Sequence, residues 1–347
     1  MTYPTGPYGY GHTPPPQAPE PGVIPLRPLS LSEILTGAFN TFGRHWKQLV
    51  GVTAVAYGFA LLLTAAAIGV GYLAVADHVS VVLDLPRGEE PSPDDLLPML
   101  IAFGCVWLVL VIGALVASAV VSAAVPVVLQ EAVLGGRVAF GTVWGRAWAR
   151  MPAVLGTVVL TALSMLAPLL LFAVLAAGLM ALVIANDAGP AASFLFLPLL
   201  LLVLPLAAWL WVKLSLAPTA AVIERQGAAA SLRRSWRLVT GSWWRTFGGL
   251  LVAGLISAFV SAIFQQLLGT LVSMPLAGGP TPETAEEFIA LIVPMAIVMG
   301  VGSLVAQVFS AIFPPLVSGL LYIDRRIRTE DLATVLARTA EARAYDF

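Results

Sequence analysis

Six long apolar blocks leave this chain few folds to choose from. They run Leu49–Ala76, Pro98–Val125, Pro152–Ala185, Phe194–Ala221, Phe247–Val272 and Phe288–Tyr322. Each supplies the ~20 residues that carry a helix across ~30 Å of hydrocarbon at ~1.5 Å per residue. A backbone in lipid has no water to bond, so only helices and closed barrels satisfy its N–H and C=O groups. The blocks are continuous rather than alternating with period two, which excludes a barrel. Composition agrees: 59% of residues are hydrophobic and 11% charged, against ~25% charged in soluble domains. The expected fold is an all-α integral membrane bundle of about six transmembrane helices. The third and sixth blocks exceed one span and are expected to tilt, kink or project beyond the bilayer.

The connections between blocks alternate in charge. After the first block come Asp77, Asp84, Glu89, Glu90, Asp94 and Asp95, with Arg87 the single basic residue; after the third comes Asp187, and after the fifth Glu283, Glu286 and Glu287. The other side is basic. It carries Arg27, Arg44 and Lys47, then Arg137, Arg146 and Arg150, then Arg225, Arg233, Arg234, Arg237 and Arg245, and last Arg325, Arg326 and Arg328. Basic loops stay in the cytoplasm, so both termini are expected there, in a multi-pass protein of the cytoplasmic (plasma) membrane. The net charge of −1 gives no reason to expect a nucleic-acid partner.

Three domains are expected. Residues 1–29 form a Pro/Gly/Tyr-rich tail with too few apolar side chains to offset ordering entropy, and so are read as disordered. They hold no apolar h-region, so insertion falls to the first span. The run Pro14-Pro15-Pro16 either docks an aromatic groove of a partner or is simply solvated. Residues 30–322 are the membrane domain. Residues 323–347 are a short charged tail.

A looser pattern recurs at intervals of about 100 residues. Ala38–Lys47, Ala139–Trp148 and Ser231–Arg237 with Trp243–Gly248 each set tryptophan beside arginine ahead of an odd-numbered span. Leu31, Ile34, Leu35, Ala38, Phe39 and Phe42 share one helical face, and Ser30 with Glu33 has the spacing of a capping box. In the second segment Phe140, Val143, Trp144, Ala147 and Trp148 share a face. In the third, Leu232, Trp236 and Val239 lie opposite the arginines. These segments read as interfacial helices on the inner leaflet, where tryptophan seeks the headgroup layer and arginine the anionic lipid. The architecture is then three copies of interfacial helix plus helical hairpin, by duplication or by convergence on a common anchor.

No catalytic pattern is present. His12, His45 and His78 are scattered, Cys105 is alone, and neither metalloprotease, nucleophile-elbow nor phosphate-loop spacing occurs. No catalytic, cofactor-binding or metal-binding residue is assigned, and no enzyme is expected. Glu89, Glu90, Asp94 and Asp95 are either a weak cation site or, more simply, a solvated loop. Polar residues inside the blocks are few. Lys213, near the basic end of block four, is expected to snorkel outward or to pair inside the bundle. Gln265, Gln266 and Gln307 either hydrogen-bond neighbouring helices or line a ligand site. Prolines at 126, 168, 198, 205, 218, 294, 314 and 315 interrupt the blocks, as at the broken helices of transporters, though proline is common in membrane helices generally.

Pro25–Leu35 leading to Trp46, and Ala229–Val239 followed by Trp243-Trp244-Arg245, resemble actinobacterial membrane proteins of the glycerophosphoryl diester phosphodiesterase membrane-domain type. The resemblance covers roughly residues 25–328. It implies a polytopic membrane region of the kind that some relatives fuse to a hydrolase barrel, and the barrel is missing from this sequence. The expectation is a non-enzymatic membrane protein concerned with lipid or envelope organisation. Arg233, Arg234, Arg237 and Arg245 would contact anionic lipid of the cytoplasmic leaflet. The rival is a transporter or permease for a lipid-like or small solute, resting on Lys213, Gln265, Gln266 and Gln307, the prolines and the repeat.

Overall fold

A computed structural model describes residues 23–25, 27–83, 92–136, 138–186, 196–278 and 285–330. Residues 1–22 of the expected tail, the acidic residues Asp84, Glu89 and Glu90, and residues 331–347 lie outside this set. The described chain forms nine helices: α1 (Leu31–Arg44), α2 (Trp46–Leu83), α3 (Pro93–Val133), α4 (Phe140–Ala185), α5 (Phe196–Leu214), α6 (Ala217–Ile223), α7 (Ala228–Val239), α8 (Trp243–Gly278) and α9 (Ala285–Glu330). Six stretches are long and apolar enough to cross a membrane: α2, α3, α4, α5 with α6, α8 and α9. This is the all-α polytopic fold that the six blocks require. At ~1.5 Å per residue the 46-residue helices α4 and α9 are about 69 Å long, more than twice the hydrocarbon thickness.

Consecutive spans pair as hairpins, α2 with α3, α4 with α5, and α8 with α9. The first runs antiparallel, since Gly113 meets Ala60 while Gly71 meets Val106. The third does too: Arg245 meets Asp324, and the Ser261 and Ser310 hydroxyls bond each other. The loops therefore alternate between two ends of the bundle. The basic segments gather at one, called here the inner end.

The core sits at that inner end. Tyr322 and Phe313 are its largest fully buried side chains, joined by Leu129, Leu216, Leu316 and Leu320. Packing there is close: a Cβ on Gly319 of α9 would lie 2.6 Å from a terminal methyl of Leu129 of α3, which would have to shift. The outer parts of the helices differ. In 57–83, 93–116, 158–186, 198–211, 254–273 and 285–311, the described residues that are buried are only Thr64, Val75, Pro168, Val203, Ser257 and Ala306. Their leucines, valines and phenylalanines face outward on every side.

The amphipathic segments depart from the sequence reading in three ways. First, α1 has the expected capping box, with Ser30 N–H donating to Glu33 (2.6 Å) and Glu33 N–H to Ser30 Oγ (3.2 Å). Its buried face is Ile34, Gly37, Ala38 and Thr41, packed on α9, while Leu31 and Phe39 stay exposed. Second, the segment at Phe140 is the first three turns of a continuous α4 rather than a separate interfacial helix, because Pro152 is accommodated without a break. Third, α7 buries Ser231, Ser235, Leu238 and Val239, and Trp236 stays partly exposed. Small side chains let α7 press against α4, α5, α6 and α9.

Both membrane-domain boundaries also move. Ile24 and Leu29 are fully buried and Val23 N–H bonds Ala132 C=O, so residues 23–25 and 27–29 pack as a strap rather than belonging to the tail. At the other end α9 continues to Glu330, with Ile323, Asp324 and Ile327 buried. Among the prolines, Pro126, Pro168, Pro205, Pro294, Pro314 and Pro315 lie inside continuous helices. Pro218, at the start of α6, accompanies an actual break.

Candidate lipid-facing and polar sites

The four arginines proposed to meet lipid divide into two pairs. Arg234 (α7) bonds Glu224 at 2.8 Å and also pairs with Glu330. Tyr322 donates its hydroxyl to the same Glu224 carboxylate, and Arg326 bonds Glu330 at 2.8 Å. Burial acts to lower the Arg234 guanidinium, but its hydrogen bonds to Glu224 and Glu330 outweigh that and hold it above its usual range. Arg245 (α8) is likewise engaged. It bonds Asp324, whose side chain is 0% exposed, at 3.1 Å, and donates to Leu29 C=O. Arg328 adds bonds of 2.9 Å to Asp324 and to Leu29 C=O, while Leu29 N–H donates to Asp324 at 2.8 Å. One buried carboxylate thus ties the N-terminal strap to α8 and α9. Arg233 and Arg237, four residues apart on α7, remain exposed.

Lys213 does not snorkel. It is 6% exposed, its Nζ donates to Thr240 Oγ1 at 2.9 Å, and it lies 5.7 and 5.2 Å from the ring centroids of Trp209 and Trp236. The last turn of α5 places its cation at the negative end of the helix dipole, and the two indole faces add cation–π attraction. The break that follows is satisfied by serines: Ser235 Oγ donates to Lys213 C=O (2.7 Å) and accepts from Leu216 N–H (3.1 Å), and Ser318 Oγ donates to Ser215 C=O (3.2 Å).

Two of the hollows among the spans bear on the candidate residues. One is apolar, about 460 Å³, bounded by α2, α3 and α4 through Val55, Phe59, Leu63, Ile112, Trp144 and Trp148. Trp144 and Trp148 belong to an aromatic stack with Phe140, with centroid spacings of 6.1 and 6.0 Å. The other, about 290 Å³, lies between the α2/α3 and α8/α9 hairpins and sets polar side chains among aliphatic ones such as Leu61, Leu110 and Leu304. It brings together Gln265 and Gln307, as an amide site requires, and adds Tyr57, Thr64, Ser261 and Ser303. Gln266 is exposed but does not line it.

Sequence reasoning missed the acidic half of the inner-end network. Glu224, Asp324 and Glu330 sit among arginines at the ends of apolar blocks, and that adjacency was the available signal. The hydroxyls of the second hollow were missed because isolated serines in an apolar block carry no pattern. Among the described residues no cluster of three metal-ligating side chains forms.

Residues 47–317, well over half of the chain, match a family model described as Domain of unknown function (DUF7847). No curated protein and no solved structure matches the chain.

Proposed function

The chain belongs to the family described as a domain of unknown function, DUF7847, and from its architecture we propose that it is a non-enzymatic, lipid-holding protein of the cytoplasmic membrane. The observation that carries this is the uneven packing. The inner ends lock into a core, whereas the outer parts of all six spans present apolar side chains on faces that no other described residue covers. Dispersion contacts absent within the protein must come from elsewhere, and in a bilayer the available material is acyl chain. The apolar hollow beside Trp144 and Trp148 has the lining and the inner-end aromatic rim for one such chain. At the inner end Arg233, Arg237 and the adjacent tryptophans offer cation and headgroup-layer anchors to anionic lipid, each cation adding ~1 kcal/mol of attraction.

Lipid removal tests this reading. Stripping the purified protein with a delipidating detergent lowers its thermal midpoint, and added phospholipid restores it by ligand linkage. Anionic phospholipid restores it more than zwitterionic, and the double variant Arg233→Gln/Arg237→Gln loses that preference while folding normally. A midpoint indifferent to lipid sinks the proposal.

The second reading is transport of a lipid-like or small solute. It is favoured by the hollow that Gln265 and Gln307 line.

A further inference from the structure

We infer that the hollow between α2, α3, α8 and α9 is a binding site for a small uncharged polyol or similarly hydroxylated solute. This deepens the transport reading and is independent of the lipid proposal.

Depth comes first. Trp46 opens α2 and Trp243 opens α8 at the inner end. Tyr57 and Thr64 lie eleven and eighteen residues beyond Trp46, about 17 and 27 Å along the helix axis. Ser261 and Gln265 lie eighteen and twenty-two residues beyond Trp243, about 27 and 33 Å. With the tryptophans in the headgroup layer, Tyr57, Thr64 and Ser261 lie within the ~30 Å of hydrocarbon and Gln265 at its outer edge. Primary amides facing hydrocarbon there would be left without hydrogen-bond partners, a costly arrangement. Both Gln265 and Gln307 are nevertheless exposed toward the hollow rather than buried between helices.

The chemistry of the lining selects the ligand. Thr64 spends its hydroxyl proton on Ala60 C=O (2.9 Å), and Ser303 spends its own on Gly300 C=O (2.8 Å). Their oxygens keep lone pairs that can accept, and both residues line the hollow. The Ser261 hydroxyl is shared with Ser310. The two amides supply N–H donors and further acceptors, and the Tyr57 hydroxyl is within hydrogen-bonding reach of Gln307. Among the described residues no charged side chain lines the hollow, so an ion would enter without compensation. A neutral solute with several hydroxyls can answer both the acceptors and the donors.

The volume of about 290 Å³ lies at the lower edge of ligand-sized pockets. On the inner side α9 continues into Phe309 and Phe313, stacked at 5.1 Å. Phe42 and Phe39 of α1 pack against them at 5.7 and 4.6 Å. These four rings join α1 to α9 on the inner side of the hollow.

The test uses the full chain in liposomes with Cys105→Ser, carrying Ser303→Cys or, as a second reporter, Thr64→Cys. A thiol reacts as thiolate, so modification by 2-hydroxyethyl methanethiosulfonate reports water at the site, and Leu108→Cys on the lipid face is the dry control. Both reporters are expected to react well above the control. Glycerol or myo-inositol slows the reaction several-fold and sodium chloride of equal osmolality does not; adding Gln265→Leu removes the protection. Reporters as unreactive as the control, or reactive ones that neither polyol slows, overturn the proposal.

Discussion

Asp324 shows how far a single residue can differ from its sequence context. It stands between Ile323 and three arginines, which reads as one acid in a solvated basic tail. In the structure it is fully buried and accepts hydrogen bonds from Leu29 N–H, Arg245 and Arg328. Its charge is compensated from three directions, one of them the strap nearly three hundred residues away. Removing one partner of such a buried set leaves uncompensated charge behind. Because Arg245 and Arg328 are each a third exposed, Asp324→Ala is expected to cost about 3 kcal/mol, the low end of the usual penalty. Arg233→Ala, on an exposed face of α7, is expected to stay within about 0.5 kcal/mol of the parent. Thermal unfolding of the two variants in one detergent separates them, and limited proteolysis of the Asp324 variant should show the strap released. Sequence alone placed Arg245 with Arg233 as lipid contacts because both are arginines in one basic loop. What divides them is a carboxylate on another helix, which no local pattern encodes.

Helix positions were legible wherever hydrophobicity or capping sets them. The six spans follow from length and apolarity, and α1 starts where Ser30 and Glu33 close their reciprocal bonds. Breaks were less legible, because a proline alone does not make one. Pro314 and Pro315 lie within α9, while Pro218 coincides with a break. The difference lies in what receives the freed backbone groups. Ser235 and Ser318, from α7 and α9, bond the N–H of Leu216 and the carbonyls of Lys213 and Ser215. Gly241, at φ +84°, makes the turn between α7 and α8. Ser235 is fully buried, so Ser235→Ala strands a donor and an acceptor with no water to replace the hydroxyl. About 1–3 kcal/mol of stability should be lost, read as a lowered thermal midpoint, together with faster amide exchange at Leu216. Retention of the parent exchange rate would show that the break is held by something other than this serine.

At the scale of the molecule, one set of charges bears on both orientation and packing. The arginines at the inner end do more than mark a side: with Glu224, Asp324 and Glu330 they fasten four separate segments together. The opposite end has little of the kind among the described residues; His78 meets Asp95 at 3.1 Å, and no comparable network joins the hairpins. A bundle cross-linked at one end and apolar elsewhere has an unambiguous direction, since basic segments resist translocation. The inner end should therefore face the cytoplasm. In the Cys105→Ser background, Ser92→Cys at the start of α3 should react with a membrane-impermeant maleimide on intact cells. Gly227→Cys at the start of α7 should react only after permeabilisation. The reverse pattern would place the arginine network outside, where the surface carries less anionic lipid for Arg233 and Arg237 to meet. The packing asymmetry would survive that result, but the assignment of its locked end to the cytoplasmic leaflet would not.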